Sequence, residues 1–256
     1  MKGIVLAAGK GSRFAELNFQ HKSLAVVQKK HIIDYSMDLL VGADTAHSLV
    51  DEIVVVVGYR AEAVMEYLGR AYRGVPVTYV YQREHKGIAH AVLTAKDALN
   101  DDFIMCLADE IMVTPRLREM INEFNDTNAT CVCGTVIDGQ DFSMKPIAYD
   151  VDDTGRVLQV KEKPKEYHND IRGIGECIFK REALEYLERL EPDPVCGEFE
   201  MGHWIQLLVD DGKLVRVFDL ADGYVNVNYA KDIDAADQLL KRSQGKTLTE
   251  RKYRIR

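Results

Sequence analysis

Apolar residues along the chain fall into two rhythms. Short runs at Ile4–Ala8, Glu52–Gly58, Val77–Tyr81 and Phe103–Leu107 have the length of strands rather than helices, and they read as strands buried on both faces. Between them, Ile32 to about Val41, Ala61–Tyr72 and Ile88–Leu99 space their apolar residues as one face of a helix. This β-α-β-α-β-α-β order predicts a parallel sheet with helices on both faces, because parallel neighbours need crossover connections. After Asp109 the pattern changes. Thr130–Val136 and Tyr149–Lys161 alternate as strands, the second turning at Asp153-Thr154-Gly155, and Ile174–Phe179 predicts a further strand. Glu182–Leu190 and His203–Val209 predict helices, and residues 245–256 form a basic tail without apolar periodicity.

Composition narrows the class. With 256 residues, 46% of them hydrophobic and 29% charged, the chain can bury one large α/β core. A net charge of −8 disfavours duplex nucleic acid as the main partner, since binding a phosphate backbone needs a basic face. No apolar segment is long enough to span a bilayer and Ile4–Ala8 is too short for a signal peptide, so the expected location is cytoplasmic, with no membrane partner. The five cysteines contain no C-x-x-C pair or zinc spacing and read as buried thiols in a reducing compartment.

The candidate chemistry begins where the first strand breaks into Gly9-Lys10-Gly11-Ser12-Arg13. Glycine permits positive φ and has no Cβ, so successive backbone N–H groups can turn toward one anion, with Lys10, Arg13 and Lys22 adding charge. The loop is not a P-loop, because Ser12-Arg13 follows Gly11 where Lys-Ser/Thr is required. Nor is it a dinucleotide fingerprint, since Phe14 stands where the third glycine belongs. Two further stretches follow predicted strand ends: Gln82 with Gly87, and Asp109-Glu110. An amide offers both a donor and an acceptor to a base edge, and a carboxylate suits a hard cation such as Mg²⁺. Alternation along a strand turns Glu110 away from whatever Asp109 faces. Glu162-Lys163-Pro164 closes the later hairpin, and Tyr224-Val225-Asn226-Val227-Asn228 precedes Asp232 near the end.

Leu6 to Arg13, Lys22, Ile32-Ile33-Asp34-Tyr35, Gln82 to Ala91, Leu107 to Ile111, Glu162-Lys163-Pro164 and Gly223 to Asp232 together resemble the sugar-1-phosphate nucleotidyltransferases, over most of residues 1–236. The resemblance implies an α/β fold of the nucleotide-diphospho-sugar transferase type, a Rossmann-like, mostly parallel mixed sheet flanked by helices. It implies one domain over 1–244, with a nucleotide-binding half at about 1–111 and a substrate-binding half at 112–244. Leu6, Ala8, Gly9, Gly11, Ser12, Arg13, Gln82 and Gly87 would bind the nucleotide, and Glu162, Lys163 and Gly175 the acceptor. Arg13, Lys22, Asp109 and Lys163 would be catalytic, and Asp109 with Asn226 would hold Mg²⁺, Asn228 being the alternative ligand under a different alignment.

The implied partners are a pyrimidine NTP and a phosphorylated acceptor, expected to be a sugar 1-phosphate; a homo-oligomer is left open. The family's usual Pro-Lys is His21-Lys22 here, and its Y-G-V is Pro146-Ile147-Ala148, which puts bulk where a sugar would approach backbone. That departure keeps a cytidylyltransferase acting on a non-sugar phosphate or phosphonate in view. A non-catalytic regulatory subunit is the third reading, disfavoured because Arg13, Lys22, Asp109 and Lys163 are all retained.

Overall fold

The computed structural model describes residues 1–11, 21–42, 48–137, 147–164, 166 and 169–243. Ser12, Arg13, Pro146 and the tail at 245–256 lie outside the described residues. Strand β1 (Lys2–Ala7) leads through a short hairpin, β2 (Val26–Val27) and β3 (Lys30–His31), into helix α1 (Ile32–Val41). Then come β4 (Glu52–Val57), α2 (Ala61–Leu68), β5 (Ala71–Tyr72), β6 (Val75–Tyr81), α3 (Ile88–Thr94), β7 (Phe103–Leu107), β8 (Glu110–Val113) and α4 (Leu117–Thr127). The later part supplies β9 (Cys131–Ile137), β10 (Ala148–Val151), β11 (Val157–Lys161), β12 (Ile171–Phe179), α5 (Met201–Asp210), β13 (Val215–Asp219), β14 (Gly223–Asn226) and α6 (Ala230–Ser243).

The main sheet has ten strands in the order β11-β10-β12-β7-β1-β4-β6-β5, with β9 beside β12 and β13 beside β9. Its centre is parallel: β1 pairs with both β4 and β7, and β4 with β6. The later strands join antiparallel through β12, which binds β7 at Cys177–Phe179 and β9 along most of its length, so the sheet is mixed. Val54 to Val57, Ile4, Val5 and Phe103 to Cys106 are all fully buried, which is why these strands read as unbroken apolar runs. Helices cover both faces. One apolar cluster joins residues of α1, α2 and α4 to the sheet, a second joins α3 and α5, and a smaller third joins Ile32 of α1 to Ala236 of α6. Trp204 of α5 stacks on Phe179 with ring centroids 4.1 Å apart and donates its indole N–H to the Ala183 carbonyl. Among the described residues no helix is long and apolar enough to cross a membrane.

Several elements differ from the sequence pattern. The expected helix Ala61–Tyr72 ends at Leu68, because Gly69 takes φ +66° and donates its N–H to Met65; Ala71–Tyr72 then pairs with β6 as a strand. The expected helix Glu182–Leu190 is a 3₁₀ winding over Arg181–Arg189, and Ile88–Leu99 is α3 followed by a 3₁₀ turn at Lys96–Ala98. All five cysteines are free, but Cys196 is exposed rather than buried. The hairpin turn is set by Asp152, whose Oδ1 accepts from the Thr154 and Arg156 amides.

The junction of the two parts depends on Gly175 of β12. A Cβ there would lie 2.3 Å from Leu107 Cγ and 2.9 Å from Glu110 Oε2, whereas one at Gly9 would meet nothing within 4 Å. Gly175→Ala should therefore destabilise the fold by about 1–3 kcal/mol, as overpacking does. Gly9→Ala should stay within about 0.5 kcal/mol of wild type. Urea unfolding of the two variants checks this, and equal midpoints would contradict the packing argument.

Candidate active site

The carboxyl ends of β1, β6 and β7 open on the same side of the sheet. Because β4 and β7 flank β1 on opposite sides, the crossovers leave it in opposite directions, and the crevice above such a point is where open parallel sheets bind ligands. A cavity of about 780 Å³ lies there. It gathers Leu6 from the end of β1, Ala8, Gly9 and Lys10 from the loop after it, Gln82 and Gly87 from the β6–α3 connection, and Asp109 and Glu110 after β7. Ile147, Glu162, Lys163, Gly175, Asn226 and Asn228 from the later part of the chain complete it. Among the described residues expected for nucleotide, acceptor or metal, only Gly11 and Lys22 do not line the cavity directly. Gly11 has φ +56° and packs on Lys22, so the loop needs glycine there for both conformation and space.

Lys22 follows His21 into a single 3₁₀ turn, Lys22–Leu24. The buried His21 ring fixes that turn by accepting from the Ser23 amide at 3.2 Å. Burial and the neighbouring Lys22 charge push the His21 pKa down to about 4, so the ring is neutral and adds no second positive charge beside the lysine. Lys22 Nζ donates to Asp109 Oδ2 at 2.6 Å and to Asn228 Oδ1 at 3.2 Å. Two oxygens from strand ends far apart in sequence thus converge on one cationic group.

Glu110 is buried in the floor of the cavity. Its carboxylate accepts from the Gly175 amide at 3.0 Å, from Tyr224 Oη, and from Asn226 Nδ2 at 3.3 Å. Fully buried Glu176 lies beside it, and neither of its oxygens receives a hydrogen bond among the described residues. Burial, then the Glu110 charge, drive the Glu176 pKa far up; burial also raises that of Glu110, against the lowering effect of its hydrogen bonds from Tyr224 and Gly175. Asn226 is spoken for on both sides, since its Oδ1 accepts from Asn228 Nδ2 at 2.6 Å. That leaves the Asn228 carbonyl as the one facing Lys22 and Asp109.

The far end of the cavity is set by the start of α5. Glu162 Oε2 accepts from the Gly202 amide in the first turn of that helix at 2.9 Å, and Gly202 has no room for a Cβ, which would lie 2.4 Å from the same oxygen. Burial, then the charge of Glu200, raise the Glu162 pKa to about 7. Lys163 has φ +44°, a left-handed conformation uncommon outside glycine, and this turns its ammonium onto the buried Glu200 at 2.5 Å. Glu198 and Glu200 also line this end and were not among the expected site residues. Their signal in the sequence is the alternating Glu198-Phe199-Glu200 just before the α5 pattern, which places both carboxylates on one side of an extended segment.

The family model described as nucleotidyl transferase matches residues 2–243. The chain belongs to the nucleotidyl transferase family. It is 31% identical over 242 residues to a UTP–glucose-1-phosphate uridylyltransferase, AglF, of Haloferax volcanii, covering 94% of this chain and 96% of that protein. It is 31% identical over 230 residues to a glucose-1-phosphate thymidylyltransferase of Streptomyces antibioticus, covering 88% of this chain but 61% of that longer protein. A solved UDP-glucose pyrophosphorylase complexed with UDP-glucose shares the fold of this nucleotidyl transferase, with a TM-score of 0.80 at 17% identity over 94% of this chain and 98% of that one.

The raised Glu162 pKa has a consequence for stability. A carboxyl whose folded pKa lies above its ordinary 4.5 destabilises the fold as pH rises from 4.5 through about 7. Glu162→Gln removes that titration, so the variant should gain on the order of 1–3 kcal/mol over wild type at pH 8 relative to their difference at pH 5. Melting curves at the two pH values check this. The same difference at both would contradict a raised pKa.

Proposed function

We propose that this nucleotidyl transferase moves a nucleoside monophosphate from a pyrimidine NTP to a sugar 1-phosphate and releases pyrophosphate. The observation that carries the reading is the convergence of Lys22, Asp109 and Asn228 between a glycine loop suited to phosphates and the Glu162–Lys163 turn. Both the attacking and the leaving oxygens belong to ionised phosphates, so the chemistry needs positioning and charge neutralisation more than a protein acid or base. The Gly9 and Gly11 amides would receive the triphosphate, Lys22 would neutralise its α-phosphate, and Lys163 would hold the acceptor phosphate. Glu162 would accept a hydrogen bond from an acceptor hydroxyl. Gln82 and Gly87 would meet the edge of a pyrimidine.

Asp109 with the Asn226–Asn228 pair would hold Mg²⁺. These donors are all oxygens, one charged and the others carbonyl, and Asp109 Oδ2 and Asn228 Oδ1 already meet at one cation, as a hard divalent ion requires. When bound, the ion would supply positive charge to the phosphate oxygens. In this arrangement Asn226 orients Asn228 through its side-chain hydrogen bond, so the pair rather than Asn226 alone is the neutral part of the site. No covalent protein intermediate is needed, and a cytoplasmic location fits substrates of this kind.

One observation favours a second reading. Ile147 lines the cavity at the position where a sugar would be expected close to backbone, which suits a smaller, non-sugar phosphate or phosphonate. Pyrophosphate release measured for the four NTPs against glucose 1-phosphate and against phosphorylated non-sugar acceptors separates the two. Asp109→Asn should lower turnover with the best pair by about two orders of magnitude while leaving the melting temperature nearly unchanged, because the lost charge acts on the transition state. Full turnover in that variant would remove Asp109 from the mechanism.

A further inference from the structure

Gln82 stands just beyond β6 with its backbone amide donating to the Val57 carbonyl at 2.8 Å, so its side chain leaves the sheet at a fixed point on the cavity wall. Its Nε2 donates to the Gly87 carbonyl at 3.2 Å and lies 3.0 Å from His90 Nδ1. A carbonyl oxygen only accepts, so the face of the amide toward Gly87 is the NH₂. The second proton of that NH₂ needs an acceptor as well, and His90 Nδ1 is the atom placed to be one. His90 sits in the first turn of α3, half-buried, with its ring 6.0 Å from that of Phe199. Burial, then the Lys86 charge, lower the His90 pKa against the opposing effect of Glu84, which keeps the ring neutral and Nδ1 free to accept. With both protons of the amide nitrogen engaged behind the wall, Oε1 is the atom that Gln82 offers to the cavity.

We propose that His90 is a positioning residue that locks the Gln82 amide with its oxygen toward the cavity, and that this lock selects a base with an imide N–H, uracil or thymine, over cytosine. The inference rests on the reading that the cavity takes a pyrimidine nucleotide, and it narrows that reading to one edge chemistry. Uracil and thymine carry a donor at N3, which meets Oε1. Cytosine carries a lone pair at N3, which faces the same oxygen without a proton between them. Without the His90 acceptor, only the Gly87 contact holds the amide, and a rotation of the group would present NH₂ instead.

Equilibrium binding of UTP, dTTP, CTP and ATP to the full chain in the presence of Mg²⁺ tests this without assuming an acceptor. Wild type should bind UTP or dTTP at least about tenfold more tightly than CTP, the scale of one buried hydrogen bond made or lost. His90→Phe keeps a ring beside Phe199 but removes the acceptor, and the ratio should fall to about threefold or less, chiefly through weaker UTP and dTTP binding. His90→Asn, which returns an acceptor oxygen near the place of Nδ1, should recover most of it; a purely structural role would not sort the two variants by acceptor. His90→Leu repeats the loss with less bulk should the Phe variant fail to fold. ATP binding as tight as UTP overturns the pyrimidine reading beneath the inference. CTP binding as tight as UTP and dTTP, with ATP excluded, overturns base selection alone. An unchanged ratio in a folded His90→Phe or His90→Leu protein overturns the positioning role.

Discussion

The arrangement of the site depends on one buried carboxyl group. Adjacent side chains at a strand end face opposite ways, so placing Glu110 inward forces Asp109 outward into the cavity. Burying a carboxylate is tolerable only when it is fully hydrogen-bonded, and Glu110 is met by a backbone amide of β12, a phenol of β14 and the amide of Asn226. Those partners tie the end of the parallel sheet to the later strands. The packing repeats the constraint, since Gly175 must be glycine for β12 to approach Leu107 and Glu110 at all. A polar node beneath the cavity floor thus sets the direction of the groups above it.

The same node explains how phosphate chemistry is organised with few titrating groups. His21 is neutral and the Glu176 pKa is pushed far up, so the ion pair at the floor of the cavity is that of Lys22 with Asp109. At the far end, Glu162 is held by the α5 amide and Lys163 by Glu200, which places an acceptor and a donor side by side. In the proposed reaction the two ends would receive different substrates, and the reacting phosphates would meet between them. Preorganised charge of this kind is what an in-line displacement between two ionised phosphates needs.

Much of this was legible in the sequence where the signal is local. Valine-rich runs gave the parallel strands, and strand-end positions placed Gln82 and Asp109 on one crevice, because register in a parallel sheet brings consecutive strand ends to the same side. Strand alternation also gave the inward turn of Glu110. Its partners were not legible: Gly175 and Tyr224 lie 65 and 114 residues away, and only the antiparallel return of β12 and the β8–β14 pairing bring them there. The contacts of Asn226 and Asn228 were not legible for the same reason, as both sit at one strand end and pair across the floor with Glu110, Lys22 and each other. Helix α2 was read too long because Tyr72 kept the apolar spacing past Gly69, whose positive φ the pattern does not encode.

The proposed reaction is a single displacement at the α-phosphorus within one preorganised cavity, with no covalent protein intermediate. Following the α-phosphoryl group of a chirally labelled UTP α-thiotriphosphate in the presence of glucose 1-phosphate tests it most directly. The label should appear in the acceptor-linked diphosphate with inverted configuration and none on the protein, one pyrophosphate being released for each transfer. Retention of configuration, or label trapped on the chain, would contradict it.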